Sequence, residues 1–194
     1  MLVIVRFPLA CCKLQVMDSR IFVASTIFYI AIYLAGDSLF DTFSVDKYHF
    51  SVFLPSGAMV FMALVFESCG ILGIVLGSLL ISIFYLSEPS IAISIANALL
   101  IGAGLWVARK LSTCALALEN NLSGINLMQI IYIICIYASI NTLILQIFYY
   151  LLNPKNDYFL EFAEKLISNL LGAFLVLLLM RISVRSHQFF FKKI

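Results

Sequence analysis

The stretch FLPSGAMVFMALVFESCGILGIVLGSLLISIFY, residues 53–85, holds a single acid, Glu67, and no base in 33 positions. About 20 apolar residues at a 1.5 Å rise cover the hydrocarbon core of a bilayer, so a run of this kind reads as two membrane-crossing helices joined by a short turn at Glu67. They are expected at residues 50–66 and 70–86, and stretches of the same character lie outward at 21–40, 90–107, 127–152 and 159–180, making six. The ten-residue alternation of a membrane barrel is absent, and helices are then the one way to satisfy the backbone in lipid. The fold expected is an all-α, polytopic integral membrane bundle of six transmembrane helices.

Composition agrees. The chain is 63% hydrophobic and 11% charged, with a mean hydropathy of +1.09, whereas soluble domains are about half apolar and about a quarter charged. Basic residues stay on the cytoplasmic side of a membrane. With the N-terminus inside, Arg6, Lys13, Arg20, Arg109, Lys110, Arg181, Arg185, Lys192 and Lys193 fall in the cytoplasm, and only Lys47, Lys155 and Lys165 fall outside. Both termini are therefore expected to be cytoplasmic. The net charge of +2 comes from these flanking bases and gives no footprint for nucleic acid.

Three parts are expected: a cytoplasmic or interfacial segment at 1–20, the transmembrane domain at 21–184 and a basic-aromatic cytoplasmic tail at 185–194. Arg6, Pro8 and Lys13 break up the first segment, which lacks a small-residue cleavage site and so differs from a signal peptide. Met17, opening MDSR before a strong span, is an alternative start. The tail, with Phe189, Phe190 and Phe191 among bases, suits an anionic inner interface or a simple positive stop.

Within the spans, Pro55, Ser56 and Gly57 interrupt regular backbone bonding near the start of the second helix. Either they form a small pocket there, or Pro55 occupies the first turn, where its missing N–H costs nothing. Gly70, Gly73 and Gly77 recur at spacings of three and four, a face on which a neighbouring helix of the same chain can approach closely. Pro55 and Gly57 in the second span and Gly102 and Gly104 in the fourth complete the set of packing positions. The amides Asn97, Asn141, Gln146 and Asn169 are costly in lipid without partners and should face the interior. Ser56, Asn97, Asn141 and Asn169 are the expected polar lining if these groups share a cavity; otherwise they are interhelical bonds that fix packing. Trp106 is expected as an interfacial anchor, Glu67 as a solvated turn residue, and Glu161 with Lys165 as a surface pair one turn apart.

Catalytic and metal chemistry has little support. The five cysteines include no CxxC pair, His49 and His187 fall on opposite sides of the membrane, and ENNLSGIN (residues 119–126) has neither a Gly-rich phosphate cradle nor a Walker lysine. No cofactor is expected.

The succession of residues 54–77, IANALLIGAGLWVARKL (95–111) and KLISNLLGAFLVLLLMR (165–181) resembles the bacterial membrane-associated sensor domain found ahead of some histidine kinases and diguanylate cyclases. The likeness rests on Leu54, Pro55, Ser56 and Gly57, on Gly73, Leu76 and Gly77, on Asn97, and more loosely on Asn169 and Gly172. Leu54 stands where the family has Trp and Asn169 where it has an acid, the family has about eight spans, and no output module follows here. The resemblance implies a non-enzymatic sensor or ligand-binding module in the lipid bilayer of a bacterial cytoplasmic (inner) membrane, multi-pass, that acts through a protein partner, with a small molecule as a possible ligand. Two other functions fit the residues: the substrate-binding membrane subunit of a vitamin-type transporter, and an accessory structural subunit of a larger membrane complex.

Overall fold

A computed structural model describes residues 18–41, 52–86, 90–116, 127–152 and 158–191. These residues are helical throughout apart from their short connections, as α1 (Ser19–Asp41), α2 (Pro55–Val65), α3 (Glu67–Phe84), α4 (Ile91–Leu116), α5 (Leu127–Leu152) and α6 (Tyr158–Phe191). Five of them, all but α2, are long and apolar enough to cross a membrane. Their outward faces carry large apolar side chains such as Ile27, Leu99, Ile147 and Leu179, each more than half exposed. A water-soluble protein does not display so continuous an apolar surface, and lipid is the medium that accommodates it. The chain is a multi-pass membrane protein.

Local chemistry sets the helix limits. Asp18 starts α1 by accepting the Arg20 backbone N–H on its side-chain oxygen at 3.0 Å. Pro55 opens α2 from its first turn. The α2–α3 turn is tight: Phe66 leaves the helical region, and Glu67 takes a φ of +52°, a left-handed conformation uncommon for a residue with a Cβ.

The long helices form a curled row, α1–α3–α4–α5–α6, and α2 touches every one of them. Among the described residues α1 and α6 make no contact with each other, so α2 closes the row as a central post. Eight of its 11 residues are buried. At a 1.5 Å rise α2 is about 16 Å long, roughly half the hydrocarbon thickness. The second expected span is thus a half-length helix, surrounded by protein instead of lipid; the start of that expected span, residues 50–51, lies outside the described residues. The N-terminal segment expected at 1–20 lies outside them as well, save its last three residues. By contrast, α6 runs past its apolar part for 34 residues in all, about 51 Å of continuous helix.

α1 and α3 lie side by side and parallel, with Gly73 against Ser25 and the Phe22 carbonyl, and Gly77 against Tyr29. The Thr26 hydroxyl spans the seam, donating to the carbonyls of Phe22 (3.0 Å) and Gly73 (3.1 Å). Gly102 meets Val75 of α3, while Gly70 faces back onto Met62 across the α2–α3 turn. Gly73, Gly77 and Gly102 therefore serve helix pairs, as do Gly57 against Val176 of α6 and Gly104 against Asn141 of α5, while Gly70 serves its own hairpin.

Candidate functional site

The start of α2 lies deep in the bundle. Phe53, just ahead of it, donates its backbone N–H to the carbonyl (3.3 Å) and hydroxyl (3.0 Å) of Ser168 in α6. The Ser56 hydroxyl shares its proton between the carbonyls of Phe53 (2.8 Å) and Asn169 (2.7 Å). Such an approach requires glycine at position 172, since a Cβ there would strike the Phe53 carbonyl, and at Gly57, where it would strike Val176. The first turn also meets its own needs: the N–H groups of Ser56 and Gly57 bond to the carbonyls of Phe53 and Leu54, both at 3.1 Å. No cluster of open backbone donors is left for an anion at these positions.

Asn169 has ten residues on either side within the apolar stretch of α6, Phe159–Leu179, so this contact lies at the midpoint of that stretch. Its side-chain N–H donates to the Thr142 hydroxyl of α5 at 2.9 Å. One turn nearer the start of α6, Lys165 donates to the Gln146 oxygen at 3.2 Å and lies 5.3 Å from the centre of the Tyr149 ring. The Glu161–Lys165 pair expected from their spacing does not form, because Lys165 reaches across to α5.

A small cavity sits beside the start of α2. About 10 Å³ of it is open to the centre of a water-sized sphere. Its polar lining is Ser56, Tyr137, Asn141 and Asn169, and Met59, Val60, Leu105, Ala138 and Ala173 complete the wall. All are buried, with Tyr137 2% and Asn141 6% exposed. The Tyr137 hydroxyl and the Asn141 oxygen have no hydrogen-bond partner among the described residues. Buried polar atoms are paired in the great majority of cases, so two unpaired on one cavity distinguish this region.

Of the four residues expected to line a cavity, Ser56, Asn141 and Asn169 meet here. Asn97 does not: it is half-buried on α4, with its oxygen also unpaired, two turns from Gly104, the residue that lies against Asn141. Tyr137 escaped the sequence reading because a tyrosine in an apolar run counts as apolar; its spacing of four from Asn141 was the available signal.

At the other end of α2, Glu67 pairs with Arg109 of α4 at 2.6 Å, both side chains being partly buried. Glu67 is thus a tied turn residue in place of a freely solvated one. Trp106 lies on the outside of the bundle, 51% exposed, with Lys110 5.7 Å from its ring centre. No group of three or more His, Cys, Asp or Glu that could hold a metal ion occurs among the described residues. Cys69, Cys114 and Cys135 are free thiols.

Comparison of the chain with protein-family models, with curated proteins and with solved structures finds no match.

Proposed function

We propose that the chain is a non-enzymatic module of a bacterial cytoplasmic membrane that binds a small molecule at mid-depth and passes its state to a partner protein, as a sensor does. The observation that carries this reading is α2, a half-length helix that touches all five long helices and starts at a small cavity whose lining includes unpaired polar groups. A ligand shifts a conformational equilibrium only by binding one packing better than another. Movement of α2 would be felt by every other helix, including the Arg109 end, which basic residues mark as cytoplasmic in this reading. Both termini lie on that side, with α2 completing six membrane-inserted helices.

Two experiments test it. Reporter fusions at residues 1 and 194 should both report the cytoplasm, and opposite sides would refute the topology. A thermal-shift screen of small polar metabolites should find one that stabilises the wild type and not Asn141→Leu; stabilisation of both alike, or by none, would refute the cavity as a binding site and leave its amides as packing groups.

A second reading, the substrate-binding subunit of a vitamin-type transporter, draws support from the same half-helix, because discontinuous helices meeting at mid-membrane form the substrate sites of many transporters. Co-purification of ATPase subunits in mild detergent would favour it, and their absence would favour the sensor.

A further inference from the structure

We propose that the mid-membrane cavity is a binding site for one water molecule, which bridges the Tyr137 hydroxyl to the Asn141 side-chain oxygen. The space, about 10 Å³ to the centre of a water-sized sphere, matches the room one water needs. The lining matches its chemistry. Asn141 presents an oxygen that can only accept, and Tyr137 presents a hydroxyl that donates and accepts; neither has a partner among the described residues. Ser56 spends its proton on the Phe53 and Asn169 carbonyls, which leaves its lone pairs as further acceptors. One water can therefore donate to Asn141, accept from Tyr137 and donate its second proton to Ser56. Those three bonds are the usual number for a buried water.

Other occupants fit poorly. A dehydrated metal cation needs about six oxygens and compensating charge, whereas this cavity offers at most four neutral side-chain oxygens in a wall otherwise made mostly of aliphatic groups. An organic molecule is too large for this packing. An empty cavity would leave two buried polar atoms desolvated with nothing in return. The water site does not depend on the ligand-binding reading: it is a property of the closed packing, present whether or not a larger ligand later opens it.

The sign of one substitution separates a wet cavity from a dry one. Tyr137→Phe removes only the hydroxyl. If water is bound, the variant loses a bond and its unfolding midpoint in detergent falls, by about 3 °C. If the cavity is dry, the variant sheds an unpaired buried group, and the midpoint stays or rises. The same substitution is then made in Ala173→Val, which fills the cavity, and in Asn141→Leu, which removes the second anchor. In both backgrounds the fall should vanish or become a gain, because the water is already gone. Tyr132→Phe, at a tyrosine 58% exposed on the same helix, is the control and should change nothing. A Tyr137→Phe midpoint that rises or does not move, or that falls equally in all backgrounds, overturns the proposal.

Discussion

The seam between α1 and α3 and the junction of α2 with α5 and α6 both use Gly, Ser and Thr, to which the junction adds Asn, with opposite results. At the seam Gly73 and Gly77 let the helices touch, and the Thr26 hydroxyl satisfies itself on two carbonyls. Ser25, 1% exposed, lies 3.5 Å from the Met62 sulfur, a weak acceptor. At the junction the backbones also touch, at Gly172 and Gly57, but the amide and hydroxyl groups just beyond them surround a cavity and leave Tyr137 and Asn141 unpaired. Small residues in a membrane protein permit approach. Whether the approach yields a closed contact or a site depends on what the larger polar neighbours find to bond.

Substitutions can break or sharpen that contrast. The largest effect is expected from Gly73→Leu, which forces a side chain into the Phe22 carbonyl and Ser25: the loss should be about 3 kcal/mol or more, seen as aggregation on size exclusion in mild detergent. Gly172→Ala should cost about 2 kcal/mol, since the start of α2 can shift where two full helices cannot. A larger loss for Gly172→Ala than for Gly73→Leu would invert the comparison. Thr26→Val, which keeps the shape and removes the hydroxyl, should cost about 0.6 kcal/mol in an unfolding titration. Asn141→Leu should be smallest, within about 0.5 kcal/mol of the wild type, because leucine packed against an aliphatic wall offsets the loss of the bridging water. Its effect is expected on ligand binding instead.

Much of the architecture was readable because hydropathy reports directly on the medium around a long helix. The stretch 127–152 coincides with α5, and 21–40 lies within α1. It misleads where an apolar helix is surrounded by protein: α2 is as greasy as any span, yet it is half as long and almost wholly interior. It also misses where a helix outlasts its apolar part. α4 continues to Leu116, beyond the expected limit of 107, because backbone bonding carries on after the lipid-facing residues stop. At the site, the amides were visible as costly groups and Pro55 to Gly57 as a break. Their company was not, since which turn of one helix faces which turn of another is set by packing between distant residues. Asn97 and Asn141 look alike in the sequence, but Asn141 alone reaches the cavity; and nothing near Glu67 announces Arg109, 42 positions on, as its partner.

The central claim is that a half-length helix begins at the middle of the membrane, inside the bundle. An experimental structure of the chain in lipid nanodiscs tests it most directly. The account predicts that α2 is confined to Pro55–Val65, with the Ser56 hydroxyl on the Asn169 carbonyl at bilayer mid-depth. A continuous helix across residues 50–66 that spans the bilayer, with Ser56 near its surface and apart from Asn169, would contradict it.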